Sequence, residues 1–248
     1  MDELIDKAAR IILGSKLTLA LTGAGISVES GIPDFRSRGG LWDRFDPEEY
    51  ATIYAFRKTP EKVWQMLKEM EGIVDKARPN EAHIGLAELE RMGLLQCIST
   101  QNVDNLHQEA GSRDVIEYHG NSRSLICLWC NKRYDYREKK GEYPPKCECG
   151  KILKPDVIFF GEAIPPSAMT RSSQLASTCQ ALLIIGTSAV VYPFNVLPRQ
   201  AKQAGAKIIE VNLEKTVLTD HITDIFLHGK ASEKVSQVVS AVRELRGL

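Results

Sequence analysis

The chain has 248 residues, 43% hydrophobic and 26% charged, which allows a full core and excludes a disordered or fibrous composition. Its 32 basic and 32 acidic residues cancel, so there is no global electrostatic footprint for nucleic acid or for an anionic membrane. The N-terminus, Met1-Asp2-Glu3-Leu4, lacks the basic and apolar stretches of a signal peptide, and the longest apolar runs are too short to span a bilayer; the expected location is cytoplasmic.

Leu4, Ile5, Ala8, Ala9 and Ile12 recur at helical spacing and predict an opening helix. The apolar run 17–21 predicts a strand, and it leads straight into Gly23-Ala24-Gly25. That turn begins like the dinucleotide fingerprint G-x-G-x-x-G, but Val28 stands where the third glycine belongs, and the chain continues into Pro33-Asp34-Phe35-Arg36. Helical patterns return over 60–70, 81–92 and 195–204, and short apolar runs over 94–99, 115–118, 157–160, 182–185 and 208–211 predict further strands. Such alternation predicts an α/β fold, a parallel sheet with helices on both faces. Ligands of these sheets bind beyond the carboxyl ends of the strands. Small and polar residues collect there: Thr22 to Gly25, then Thr100 to Asp104, His119-Gly120, Gly161-Glu162, Gly186-Thr187-Ser188 and Asn212-Leu213-Glu214.

Residues 124–155 break the alternation. Cys127 and Cys130 form C-x-x-C, Cys147 and Cys149 form C-x-C, and two close thiolate pairs around a charged stretch suit a tetrahedral zinc ion in a ribbon. A closed four-cysteine shell leaves no open coordination position, so the expected zinc is structural. The remaining cysteines, Cys97 and Cys179, lie beside apolar strands and read as core. Among the five histidines, His119 alone directly follows one of these predicted strands and precedes a glycine, where it could serve as a base; His83 and His107 fall in helical patterns and read as structural. Asn102 or Asp104 could cap the next helix, an explanation that leaves Gln101 unaccounted for.

In order and spacing these motifs resemble those of the sirtuins, NAD-dependent protein lysine deacylases. The resemblance covers nearly the whole chain and rests on GAGISVESGIPDFR from 23, TQNVDNLHQEAGS from 100, EYHGN from 117, the cysteine pairs, PDVIFFGE from 155, GTSAVVYP from 186 and EVN from 210. It implies one catalytic domain. A Rossmann-like large part would span about 1–37, 76–122 and 155–248, and an inserted small part would combine a helical segment, about 38–75, with a zinc ribbon, about 123–154.

The family further implies NAD as co-substrate. Gly23, Ala24, Gly25 and Ser27 would meet the pyrophosphate, with backbone N–H groups from Ala24 to Ser27 as donors. Phe35 and Arg36 would fold as a flap over the nicotinamide ribose, Asp34 beside them would also meet the cofactor, and Ile32 would help form the nicotinamide pocket. Gln101 would bind and orient the ribose, and Asn102 and Asp104 would help form the nicotinamide pocket. Gly186, Thr187 and Ser188 would meet the phosphates, Asn212, Leu213 and Glu214 the adenine ribose, and Lys230 and Ala231 the adenine. Acyl-lysine peptides would pair as a strand between Val157, Ile158, Phe159, Phe160, Gly161 and Glu162 on one side and Val190, Val191 and Tyr192 on the other. In the implied mechanism the acyl oxygen attacks C1′ of the nicotinamide ribose and nicotinamide leaves; neutral His119 takes a proton from a ribose hydroxyl, which attacks the imidate carbon, and water completes the transfer to give lysine and O-acyl-ADP-ribose. Leu67 and Met70 stand where desuccinylating members carry Tyr and Arg, so acidic acyl groups should be poor substrates. ADP-ribosyl transfer, NAD hydrolysis, binding without turnover and a dehydrogenase are the competing readings; the broken fingerprint disfavours the last. A monomer is the expectation.

Overall fold

The computed structural model describes residues 2–35 and 39–247. Asp2 accepts the Leu4 amide and caps α1 (Glu3–Gly14), whose buried stripe Ile5, Ala8, Ala9 and Ile12 is the repeat read in the sequence. Next, β1 (Thr18–Thr22) is buried at all five positions, as a strand covered on both faces must be. Then come α2 (Pro47–Tyr50), α3 (Ile53–Lys58), α4 (Pro60–Val74), α5 (Glu81–Arg91), β2 (Cys97–Thr100), α6 (Leu106–Glu109), β3 (Val115–Glu117), β4 (Gly120–Ile126), β5 (Arg133–Asp135) and β6 (Lys154–Val157). The chain finishes with α7 (Pro166–Ala176), β7 (Ala181–Ile185), α8 (Leu197–Gln203), β8 (Lys207–Asn212), β9 (Ile225–His228) and α9 (Ala231–Arg246).

Six strands form a parallel sheet in the order β3-β2-β1-β7-β8-β9. One face buries an apolar cluster against α1, α5 and α9; the other packs against α7 and α8 through Phe194, Leu197, Ala201 and Tyr118. The second sheet is antiparallel, β5-β4-β6, and shares a cluster with α3 and α4 in which Trp64 packs on Leu125 and Leu153 and donates its indole N–H to the Leu153 carbonyl at 2.8 Å.

The apolar run 157–160 does not join the parallel sheet. Its first residue ends β6 in the small sheet, and the rest crosses toward α3, with Ile158 N–H on the His119 carbonyl and Phe160 paired to Ala51 and Ile53. Val157 and Phe159 find their apolar partners on Ile53, Phe56 and Trp64, and these partners determine where the run lies. Three elements carried weak signals and were not anticipated: α7, β9 and α9. In α9 the buried Val235, Val238, Val239 and Val242 keep helical spacing, but β-branched residues blur it.

Candidate active site

A cleft of about 1950 Å³ follows the carboxyl edge of β2, β1, β7 and β8 and continues between the two sheets. The turn leaving β1 is two short 3-10 turns, Ala24–Ile26 and Val28–Ser30, where a Rossmann crossing would have a helix. The amide of Gly25 donates to the Gly186 carbonyl at 2.8 Å, so the turn after β1 crosses the turn after β7 backbone against backbone. A Cβ on Gly23 would lie 2.8 Å from that carbonyl, and one on Gly25 would lie 2.7 Å from Gly186 Cα. Gly186 has φ +60° and the same lack of room. The glycines are therefore required by this crossing. The expected row of phosphate donors is corrected here as well: the N–H groups of Gly25, Ile26 and Ser27 are bonded to Gly186, Gly23 and Ala24, and of the four only the Ala24 N–H has no partner among the described residues.

Behind the turn lies a buried polar network. The Ser27 hydroxyl donates to Asp104 Oδ2 at 2.7 Å and accepts from Asn102 Nδ2 at 3.1 Å, while Asn102 Nδ2 also reaches the Gly23 carbonyl at 3.2 Å. Asp104 Oδ1 accepts the Leu106 amide at 3.0 Å, so Asp104, one residue before the Asn105 N-cap, satisfies the first amide of α6 and also anchors the turn. Burial raises the Asp104 pKa, and the bonds from Leu106 and Ser27 oppose that rise. His83 accepts the Asn80 amide at Nδ1 and turns Nε2 toward Ser27. His107 Nε2 bonds to Thr22 at 2.9 Å, and its Nδ1 is buried without a partner among the described residues. The two rings lie 4.9 Å apart, and burial pulls their pKa values down to about 4 for His83 and about 3 for His107. Both are therefore neutral, structural imidazoles under the cleft floor.

His119 stands at the switch from β3 to β4, and its Nδ1 lies 3.2 Å from the Gln101 carbonyl. A carbonyl can only accept, so Nδ1 carries the proton and Nε2 keeps its lone pair, on a ring that lines the cleft. Burial lowers the His119 pKa, and the bond to Gln101 partly offsets this. Gln101 Nε2 donates to Thr187 Oγ1 at 2.9 Å, and Asn212 Nδ2 donates to the Thr187 carbonyl at 3.0 Å. Three strand ends, those of β2, β7 and β8, are thereby tied across the sheet.

On the other wall, Phe35 stacks on Trp42 with centroids 5.1 Å apart, and Trp42 faces Phe160 at 6.4 Å. Trp42 went unremarked in the sequence because nothing near it marks a strand end. Leu67 and Met70 line the cleft on α4, as do Ile32, Asp34, Ser188, Leu213 and Glu214 and the segments Val157 to Glu162 and Val191-Tyr192. Val190, Lys230 and Ala231 do not line it: Lys230 is 3.8 Å from Glu29 in an ion pair, and Ala231 is buried at the start of α9. Arg36 lies outside the described residues.

At the far end of the small sheet, Cys127, Cys130, Cys147 and Cys149 offer four Sγ atoms within 4.8 Å of one another. The Cys127–Cys149 and Cys130–Cys147 separations are 3.6 and 3.5 Å, close to the roughly 3.8 Å edge of a tetrahedron with Zn–S bonds of about 2.3 Å. The shorter C-x-C spacing therefore still fits. Tyr134 Oη lies 3.2 Å from Cys147 Sγ, the kind of outer contact that steadies a thiolate ligand.

The Sir2 family model matches residues 23–193, the stretch that holds the glycine turn, the polar network, His119 and the cysteines. The chain belongs to the Sir2 family. This sirtuin is 45% identical to an NAD-dependent protein deacylase of Pyrococcus abyssi, over 98% of this chain and 99% of that one. A solved Sir2 homologue bound to NAD superposes with TM-score 0.90 at 46% identity, covering 97% of this chain and 94% of that chain. A second structure, Sir2Af2 bound to a myristoylated histone peptide, gives 0.86 at 40% identity over 100% and 99%.

Proposed function

We propose that this sirtuin removes acyl groups from protein lysines at the expense of NAD, yielding lysine, nicotinamide and O-acyl-ADP-ribose. NAD supplies the reactive ribose carbon, with nicotinamide as its leaving group. The chain's residues do the rest. Ser27, Asn102 and Asp104 shape the nicotinamide end, while Thr187, Ser188 and Asn212 meet the phosphate and adenosine side. Gln101 orients the ribose and, through its carbonyl, holds His119 Nδ1–H. His119 Nε2 then takes the proton from a ribose hydroxyl as general base. The carrying observation is that His119, with Nδ1 on the Gln101 carbonyl and no partner for Nε2 among the described residues, lines the same cleft as the glycine turn.

Acyl-lysine peptides lie between the segments 157–162 and 190–192, and the apolar wall of Phe35, Trp42, Phe160, Leu67 and Met70 accepts acetyl and longer neutral chains. The related protein described with a myristoylated histone peptide supports that reading. The chain works as a cytoplasmic monomer of two parts, the parallel-sheet part (about 1–37, 76–122 and 155–248) and the inserted part (about 38–75 with 123–154). The cysteine cluster holds one zinc ion and takes no part in the reaction.

The test is a mass-spectrometric time course of an acetyl-lysine peptide with and without NAD, beside His119→Ala. Equimolar nicotinamide and O-acetyl-ADP-ribose, lost in the variant, support the proposal. Nicotinamide release from NAD while the peptide stays acetylated would assign ADP-ribosyl transfer or NAD hydrolysis instead.

A further inference from the structure

Lys154 is the one cation among the described residues buried to this degree, 2% exposed, and the chemistry above makes no use of it. Its ammonium lies 2.6 Å from the Val157 carbonyl, 3.1 Å from the Pro155 carbonyl and 3.0 Å from Glu162 Oε2, and sits 4.6 Å from the centre of the Phe159 ring. Three protons meet three acceptors. Glu162 Oε2 also accepts the Phe159 amide at 2.8 Å, and the Glu162 amide returns to the Phe159 carbonyl at 3.0 Å. The amides of Ile158 and Phe160 go to His119 and Ala51, and the Phe160 carbonyl accepts from Ile53. In the stretch 159–162, the main-chain groups left without partners among the described residues are the N–H and C=O of Gly161 and the C=O of Glu162.

We propose that Lys154 is a positioning residue for peptide substrate: by occupying the Pro155 and Val157 carbonyls and holding Glu162, it leaves Gly161 and Glu162 as the edge to which an acyl-lysine strand pairs. This rests on the reading of 157–162 as the peptide-binding segment. Without the ammonium, the Glu162 carboxylate loses its partner and two carbonyls are released. The turn at Gly161, which has φ +85°, then loses the cross-link that fixes its register. Burial lowers the Lys154 pKa against the pull of Glu162, as expected of a cation held for structure and kept from solvent. An arginine can span the same acceptors; a methionine keeps the apolar stem and loses them all.

The experiment compares wild type, Lys154→Met and Lys154→Arg in steady-state assays, varying acetyl-lysine peptide at saturating NAD and NAD at saturating peptide. The expected result for Lys154→Met is a peptide KM raised about tenfold or more with the NAD KM unchanged within about twofold, since a strand edge misplaced by an ångström binds poorly while the NAD loops stand on the other sheet. Lys154→Arg should recover most of the loss. Equal movement of both KM values, no movement of either, or failure of arginine to rescue overturns the proposal. Should Lys154→Met not fold, Glu162→Gln, which keeps the shape and removes the charge, must show the same split in smaller measure; an unchanged peptide KM there is likewise fatal. A wild-type enzyme with no NAD-dependent acyl loss would overturn the functional reading itself, and the proposal with it.

Discussion

Replacing Gly186 by alanine puts a methyl group against the turn that follows β1. The added Cβ would lie 2.3 Å from the Ile26 nitrogen and 2.5 Å from the Gly25 carbonyl carbon, both backbone atoms that cannot rotate away. Restoring ordinary contact at 3.4 Å requires the two turns to separate by about 1 Å. The φ of +60° adds a left-handed cost of about 1–2 kcal/mol for any residue with a Cβ, and overpacking adds about 1–3 kcal/mol. The total, about 2–5 kcal/mol, corresponds to a fall in Tm of roughly 4–20 °C for a chain of this size. Because the displaced turn carries Ala24 and Ser27, the KM for NAD should rise by about a hundredfold for that 1 Å shift. Gly205→Ala is the control: φ is +94° but nothing lies within 4 Å, so only the conformational cost of about 1–2 kcal/mol applies, with no change in the NAD KM. The assay is thermal unfolding together with NAD-dependent nicotinamide release. If both variants lose the same stability and bind NAD equally well, the crossing of the two turns is not what requires the glycine.

His119→Ala should abolish deacylation while leaving NAD binding in place, and the acid limb of the wild-type kcat/KM profile should fall below pH 6.5, because burial lowers the pKa of the base and keeps it neutral; a limb above 7 in a direct pH–rate profile would contradict this. Stability should also fall as pH drops below 6.5. His83 and His107 refuse protons in the folded state until about pH 4 and about pH 3, whereas the unfolded chain takes them up below 6.5, so each costs about 1.4 kcal/mol per pH unit within that window; urea midpoints that stay level from pH 7 to pH 5 would count against it. Elemental analysis should find one zinc per chain, and Cys149→Ser should lower the zinc content and Tm together. Leu67→Tyr with Met70→Arg should raise the rate on succinyl-lysine relative to acetyl-lysine by about tenfold or more by giving the carboxylate a partner, as competition between the two peptides would reveal.

The parallel sheet was legible because β1, β7 and β8 are apolar runs buried along most of their length, with polar residues after each one. His119 and Gln101 were legible for the same reason: both follow a strand. What the sequence hid was what those groups do to each other. No spacing rule says that the Gln101 carbonyl fixes the tautomer of His119, or that Ser27, 77 positions away, donates a hydrogen bond to Asp104. The glycine turn was legible as a turn, yet the reason for its glycines lies in a second turn more than 160 residues away, and its amides are largely consumed within the protein. Lys154 offered no signal at all, since a lysine before a proline is ordinary surface composition until its three acceptors are seen in place.

The path of the chain at Tyr118-His119-Gly120 carries a further consequence. Tyr118 is buried against Phe194 on one face of the parallel sheet, Gly120 begins a strand of the small sheet, and between them the His119 carbonyl accepts the Ile158 amide. The proposed proton acceptor thus sits at the junction of the two sheets, hydrogen-bonded through its carbonyl to the segment proposed for peptide and through its ring to the strand end proposed for the NAD ribose. On the proposed mechanism, anything that tilts one sheet against the other, including loss of zinc from the cysteines beyond β4, would change the angle of that imidazole with every contacting residue still in place.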